Sequence, residues 1–306
     1  MENNTEKKGN FQWQEMDGIR SLNIELVKKR HPLKYFIENI FGDKFVRYLK
    51  FLRSKNALKE SLKNKNPTFQ QQKCEKVAII FMGSQDYVKF FPRFYSTINQ
   101  NFLPDTKKDF FAFTDQVDYD YFKDKENIKI IPVKYGGPAV MTLSKFKFIA
   151  SIADKLRGYS HVVYIDSDMY ARDITTEEEF FCHTQPLFAM RHPCFLNIPG
   201  QFELNHQSKA ALNENDDLSI YRQACFWGGK KDHIIEMCKQ INNGIEEDFR
   251  NKIISIWLDE SHLNKFFVRN KHLIHTHDSN YGYPSMWPIL EGYSVKFFHD
   301  KGEILK

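Results

Sequence analysis

Apolar positions along the chain follow two different rhythms, joined by a polar stretch. Between residues 34 and 55, Ile37, Ile40, Phe41, Phe45, Leu49 and Leu52 recur every three or four residues, with Lys34, Lys44, Arg47, Lys50, Arg53 and Lys55 around them. That spacing predicts a basic amphipathic helix or helix pair. The segment Lys63 to Lys73 is polar, contains Pro67 and reads as a linker. Beyond it, the continuous run Val77-Ala78-Ile79-Ile80-Phe81 closes at Gly83-Ser84, as a buried parallel strand does at the start of an α/β domain. Tyr87 to Asn99 has helical spacing, Phe110 to Phe113 predicts a second strand ending in Thr114-Asp115, and Ile128 to Val133 a third. Thr142 to Leu156 predicts another helix, feeding the strand His161 to Ile165. Strands alternating with helices imply a mostly parallel sheet flanked by helices over residues 76–306, preceded by a helical extension and linker over residues 1–75. Ligands of such sheets bind beyond the carboxyl ends of the strands, where Gly83, Asp115 and Asp166 fall.

Charge sharpens this division. The formal net charge is +5, yet residues 1–75 hold 16 Lys/Arg against 9 Asp/Glu, a balance of +7, which leaves −2 for the rest. The basic extension therefore has two readings over residues 34–62. It either adsorbs to an anionic membrane, with lysines near the head groups, or forms a helical layer packed on the main domain. No run of about 18 apolar residues occurs, and mean hydropathy is −0.55, so no transmembrane helix is expected. The polar start, Met1 to Asn10, does not read as a cleavable signal peptide. Five widely spaced cysteines without a C-x-x-C pair argue against a disulfide framework and fit a reducing compartment.

Two constellations carry candidate chemistry. Asp166-Ser167-Asp168 ends the predicted strand Val162 to Ile165. In an extended backbone residues i and i+2 face one side, so both carboxylates can meet one point and hold Mg²⁺ or Mn²⁺ against a diphosphate. The plain alternative is a strand-to-loop turn, but two carboxylates meeting at a sheet edge repel each other unless a cation joins them. The second is Trp257-Leu258-Asp259-Glu260-Ser261-His262-Leu263-Asn264. Asp259 is a good N-cap, which puts Glu260 in the first turn of a helix, ionised near the positive end of the dipole as a nucleophile or stabiliser of positive charge would be. The plain alternative is that Asp259 caps and Glu260 merely complements the dipole. No internal repeat and no glycine-rich phosphate loop of the G-x-G-x-x-G or G-x-x-x-x-G-K-[ST] type is present, which removes the main support for dinucleotide and P-loop chemistry. His272, His275 and His277 lack the spacing of a zinc site, and the aromatic pairs read as core, so neither zinc nor nucleic acid is expected.

Taken together, Trp-x-Asp-Glu-Ser-His-Leu-Asn-Lys at residues 257–265, an apolar strand ending in Asp-x-Asp-Met, Phe-Thr-Asp at a strand end, His-Pro-x-Phe and a late Gly-Gly resemble glycosyltransferase family 6. That is the family of the blood-group A and B transferases and α-1,3-galactosyltransferases, with soluble bacterial relatives. The resemblance spans about residues 76 to 301; the stretch Asp259 to Lys265 is its most specific part. It implies a GT-A fold with one Rossmann-like mixed sheet, and transfer of galactose or N-acetylgalactosamine from a UDP-sugar with retention of the α configuration. By position it assigns Asp166 and Asp168 to Mn²⁺ (or Mg²⁺) and Glu260 to the catalytic carboxylate. Asp259, His192, Trp257, Gln223 and Cys225 fall to donor sugar and acceptor. Phe81, Met82, Gly83, Phe113, Asp115, Lys145, Asp166 and Lys301 fall to the nucleotide, Lys145 standing where the family usually has an arginine. Gln223-Ala224-Cys225 occupies the window that separates the two donor sugars, and Phe202-Glu203-Leu204-Asn205 and the loop from Tyr281 to Pro288 differ from the family pattern in acceptor territory.

On this reading a metal-assisted transferase acts on an oligosaccharide or lipid-linked glycan, in the cytoplasm and peripherally on the inner face of a membrane. The competing classes are another metal-dependent nucleotide-using transferase, nucleotidyl- or phosphotransferase, with no use for Glu260, and a non-catalytic carbohydrate-binding protein of the same fold.

Overall fold

The computed structural model describes residues 32–63, 72–123 and 125–300. The first 31 residues, the middle of the expected linker and Lys301 lie outside the described residues. The basic amphipathic pattern forms α1 (Pro32–Lys63), in which Gly42, at φ +77°, interrupts the helical backbone and yields a helix pair.

The α/β core follows the predicted alternation. Strands β1 (Lys76–Met82), β2 (Lys107–Thr114), β3 (Ile128–Pro132), β4 (His161–Ile165), β6 (Leu187–Arg191), β7 (Arg222–Lys230) and β8 (Ile274–His277) form one sheet in the order β3-β2-β1-β4-β7-β6-β8. β1 pairs in parallel with β2 and β4, β2 with β3, and β6 with β8, whereas β7 runs antiparallel to β4 and β6. A small second sheet joins β5 (Met169–Ala171), β10 (Phe297–His299) and β9 (Tyr283–Pro284). This is the mixed, mostly parallel sheet of a GT-A type fold.

The two faces of the sheet follow from the two-residue period of its strands. Along β1, Ala78 and Ile80 pack with Phe113, Tyr164 and Trp227 beneath α3 (Pro138–Ser151), α5 (Lys231–Arg250) and α6 (Asp259–Arg269). Val77, Ile79 and Phe81 point the other way, into a cluster with Phe91, Phe94 and Ile98 of α2 (Phe91–Asn101) and Phe180 of the single-turn α4 (Glu177–Phe180). β7 can lie flush against β4 only because Gly228 has no side chain: a Cβ there would sit 2.6 Å from the Val162 carbonyl oxygen.

Boundaries differ from the sequence reading where proline intervenes. The helix expected over Tyr87–Asn99 starts as a 3₁₀ turn over Gln85–Phe90, and α2 begins at Phe91, next to Pro92 in its first turn. α3 begins at Pro138 rather than Thr142, behind Gly137 at φ +96°, and breaks at Ile152 into a 3₁₀ turn. Of the extension, α1 packs on the core. Phe51 and Leu58 of α1 are buried against Tyr283, Trp287, Leu290 and Phe298 near the other end of the chain. Where the linker meets the core, the Gln72 amide donates to the carbonyls of His183 and Gln185.

Candidate functional site

The carboxyl ends of β1 and β4, the start of β7 and the beginning of α6 converge on a cleft of about 990 Å³, one wall of which is α1. Residues of every predicted class line it: Met82, Lys145, Asp166, Asp168, His192, Gln223, Cys225, Trp257, Asp259 and Glu260.

Glu260 sits in the first turn of α6, and both of its carboxylate oxygens are fixed. Oε1 accepts a 2.8 Å hydrogen bond from the Tyr221 hydroxyl, and Oε2 a 3.0 Å bond from the Ala224 backbone N–H. Asn264 ties the same turn to β7: its side chain donates to the Arg222 and Glu260 carbonyls and accepts from the Arg222 N–H. The Tyr221 ring is almost wholly buried, edge-on to Phe195 and Phe202. Burial, and then the neighbouring Glu260 carboxylate, hold its hydroxyl well above the ordinary tyrosine range, so it remains a donor.

Asp259 corrects one expectation. The residue at the helix boundary is Leu258, with no side-chain cap and a left-handed φ of +52°, a backbone strain uncommon outside glycine. Asp259 is the first helical residue, and its carboxylate is turned away to the Lys145 ammonium at 2.8 Å. A buried ammonium is a stronger partner for that carboxylate than its own helix N–H groups. Lys145 also lies 3.7 Å from Asp166 Oδ1 and 4.3 Å from the Tyr164 ring centroid. Burial disfavours its charge, but Asp259, Tyr164 and Asp166 outweigh that and hold its pKa well above the ordinary lysine value.

The Asp166-Ser167-Asp168 pair converges by a different route from the one expected. The backbone is not extended: β4 ends in a turn, closed by Met169 N–H donating to the Asp166 carbonyl at 3.0 Å. The carboxylates still come together, with ligand atoms of Asp166, Asp168 and His299 within 4.8 Å of one another. Tyr164 donates to Asp166 Oδ1 at 2.6 Å, and His299 Nε2 lies 3.2 Å from Asp168 Oδ1. Apart from that approach to Asp168, the buried nitrogen has no hydrogen-bond partner among the described residues.

His192 accepts the Cys194 N–H on Nδ1 and packs 4.8 Å from Phe195. Gln223 is held by the Gly282 carbonyl at 3.4 Å. Trp257 lines the cleft, and its indole N–H is buried without an acceptor among the described residues. Glu203 fixes the segment before Trp257, accepting from Ile256 N–H at 2.6 Å and Asn205 N–H at 2.8 Å.

The structure does not bring every expected nucleotide residue to the cleft. The Phe81 ring is buried against Phe91 and Phe94, and Phe113 is buried beside Phe148, so neither offers its side chain to a ligand. Continuous apolar strands put alternate residues into the two cores, and both rings fall there. Gly83 N–H donates to the Phe113 carbonyl. Asp115 is held below the usual carboxylate range despite some desolvation, because the Gln85 backbone and side-chain amides donate to it. The carboxylate thus fixes the turn after β1. Sequence reasoning missed Tyr221, Tyr164 and His299; no motif marks the tyrosines, and His299 is visible only as a histidine near the predicted Lys301.

Outside the cleft, His275 and His277 of β8 meet His183. His183 and His275 stack 4.1 Å apart and 4° from parallel, and His277 stacks on Phe180 at 4.4 Å. Parallel rings cannot both aim lone pairs at one ion, so the arrangement reads as aromatic packing.

A sequence profile of glycosyltransferase family 6 matches residues 59–276. Among curated proteins, the chain is similar to O-antigen biosynthesis glycosyltransferase WbnI of Escherichia coli, 27% identical over 202 residues that make up 65% of this chain and 84% of that protein. It is 24% identical over 212 residues to histo-blood group ABO system transferase 2 of Rattus norvegicus, covering 64% of this chain and 60% of that one. Over 118 residues it is 30% identical to globoside alpha-1,3-N-acetylgalactosaminyltransferase 1 of Canis lupus familiaris, covering 38% and 33% of the two chains.

Proposed function

The chain belongs to glycosyltransferase family 6, and from that premise we propose that it is a retaining α-1,3-type hexosyltransferase that moves galactose or N-acetylgalactosamine from a UDP-sugar to a glycan acceptor. The observation that carries this reading is Glu260, a carboxylate with both oxygens pinned, in the same cleft as the Asp166/Asp168 pair. The names of the relatives, an O-antigen glycosyltransferase and an α-1,3-N-acetylgalactosaminyltransferase among them, support the sugar class.

The residues beside the turn after β4 suit a divalent ion: two hard carboxylate ligands, and a buried imidazole nitrogen whose partner among the described residues is one of those carboxylates. Asp166, Asp168 and His299 would hold Mn²⁺ or Mg²⁺, the nitrogen favouring Mn²⁺. When bound, such an ion would supply positive charge to offset that of a departing diphosphate. The chain's own groups do the rest. Lys145 keeps Asp259 and Asp166 in place as a cation between two carboxylates. Asp259 grips hydroxyls of the donor sugar with its remaining acceptor capacity. Glu260, held by Tyr221 and the Ala224 N–H, presents negative charge to an anomeric carbon that becomes positive as its bond to UDP lengthens. Trp257 and His192 form the acceptor side, where the Trp257 N–H has an unused donor for a sugar hydroxyl.

The test is Glu260→Gln. The glutamine keeps the shape and can turn its oxygen to the Ala224 N–H and its NH₂ to the Tyr221 oxygen, so the fold survives. Transfer to acceptor falls by at least about a thousandfold, as expected for loss of a principal charge-stabilising group, while UDP-sugar binding by calorimetry persists. Near-normal turnover removes Glu260 from the chemistry.

We further propose a cytoplasmic enzyme docked peripherally on an anionic membrane through α1. Phe36, Ile40, Phe41 and Phe45 are between 40% and 61% exposed, amid lysines. Phe41→Ser/Phe45→Ser should abolish flotation with phosphatidylglycerol vesicles, and undiminished flotation excludes this face as the anchor.

A further inference from the structure

One wall of the cleft belongs to α1, and it is cationic. Lys50 and Arg53 lie three residues apart on one face of the helix, and both line the cleft. Their neighbour Arg47 is neutralised by Asp43, one turn earlier. Lys50 and Arg53 differ: among the described residues neither pairs with a carboxylate, and Arg53 donates only to the Cys194 carbonyl, at 2.8 Å. Cys194 marks how near this wall comes to the chemistry, because its thiol, raised chiefly by burial, feels Lys50, Arg53 and Glu260 together.

Two like charges side by side repel, and in a cleft they are stabilised by an anion that enters with a ligand. On the proposed reading the donor's diphosphate is met at Asp166 and Asp168 in the same cleft. A second anion therefore comes with the acceptor. The surroundings narrow its chemistry. Leu49, Val46 and Ile37, which precede the cations along α1, line the cleft too, and Ile40, Phe41 and Phe45 of the same helix are 40–59% exposed. A cationic pair with apolar side chains towards the N-terminal end of the same helix matches a molecule with a sugar, then a phosphate, then an apolar tail.

We propose that Lys50 and Arg53 form an anion subsite for the acceptor, and that the acceptor is a saccharide joined through phosphate to a lipid. The proposal rests on the glycosyl-transfer reading of the same cleft. It gives the basic extension a role in substrate choice, which the sequence pattern alone did not.

The experiment uses the full chain and two acceptors with the same glycan and the same short isoprenoid tail, one joined through diphosphate and the other through a neutral ether. Binding is measured by calorimetry, and KM in the presence of UDP-sugar. The wild-type chain should favour the diphosphate acceptor at least tenfold in both. Lys50→Gln removes a half-buried cation without a structural bond, and should cut that preference severalfold; Lys50→Gln/Arg53→Gln should bring the ratio of the two acceptors to within twofold of unity, with the donor KM moving less than twofold. Equal binding of both acceptors to the wild-type chain overturns the proposal, as does a variant whose donor KM rises while the acceptor ratio stays. Preferential binding of the diphosphate acceptor without any transfer supports the subsite and removes the glycosyl-transfer reading instead; transfer without preference does the reverse.

Discussion

Tyr221→Phe isolates the orientation of the candidate catalytic carboxylate from the integrity of the fold. The substitution deletes one oxygen and keeps the ring, which is 2% exposed and packed against Phe195, Phe202 and the backbone of Gly200, where a Cβ would already touch it. Packing is therefore preserved, and the loss is the single 2.8 Å bond to Glu260 Oε1. A hydrogen bond to a charged group contributes about 1.5–3 kcal/mol, and each 1.36 kcal/mol is tenfold in rate, so kcat should fall about 10- to 150-fold. The fall is not larger because Ala224 N–H still holds Oε2, a main-chain donor that no side-chain replacement removes. Steady-state kinetics of sugar transfer, with donor KM and the urea midpoint measured on the same preparation, make the test. The expected pattern is a lowered kcat, a donor KM within about twofold and a stability change below about 1 kcal/mol, the size of one neutral substitution at constant volume. An unchanged kcat refutes the argument that Tyr221 sets the carboxylate, and a collapse in stability refutes the claim that its hydroxyl serves the site rather than the core.

Two further predictions follow from the same geometry. His299→Ala should raise the Mn²⁺ concentration needed for half-saturation by at least about tenfold, read by the loss of the free-ion electron paramagnetic resonance signal rather than by turnover, and unaltered Mn²⁺ binding removes His299 from the metal site. Stability should depend on pH through buried histidines: burial lowers His161 to about 4 and both His183 and His262 to about 3. They are neutral when folded, whereas the unfolded chain takes up protons below about pH 6.5, so the stability they carry is whole above that pH and declines as it falls towards 4. Urea midpoints should drop from about pH 7 to about pH 5, and a flat profile contradicts the neutral assignment.

How much of this could be read in the sequence depended on whether a feature was local. β1 and β4 were legible because each is a short apolar run closed by a turn signal, and the structure has β1 at Lys76–Met82 and β4 at His161–Ile165. β7 and α5 were not assigned: Arg222–Lys230 mixes polar residues with Gly228-Gly229 because it is packed flush between two antiparallel neighbours, a tertiary reason invisible in its own periodicity. In the site, Glu260 in a first turn was legible from helix-start chemistry. The cap was not, because Lys145, 114 residues away, competes for Asp259. Tyr221 could not be found at all, since nothing in Tyr221-Arg222-Gln223 announces that its hydroxyl meets a carboxylate 39 residues later.

The N-terminal helix shows why charge and periodicity alone left two readings open. Adsorption and packing look like alternatives only if a helix is given one apolar face, but α1 is kinked at Gly42, and the apolar residues that pack are not the ones left exposed. Phe51 and Leu58 are buried at 4% and 1% exposure, whereas Phe41 and Phe45 remain at 59% and 40%. Removing the whole segment therefore cannot separate the roles: it would strip Trp287 and Tyr283 of buried contacts as well as taking away the exposed stripe. The +7 of residues 1–75 also has a different meaning once its members are located. Part of that charge, Lys50 and Arg53, lines the cleft. α1 at once completes the cleft wall, buries against the C-terminal segment and leaves an apolar stripe outside, so on the proposed reading it would couple substrate entry to the surface that stripe meets, and in packing it belongs to the same unit as the cleft.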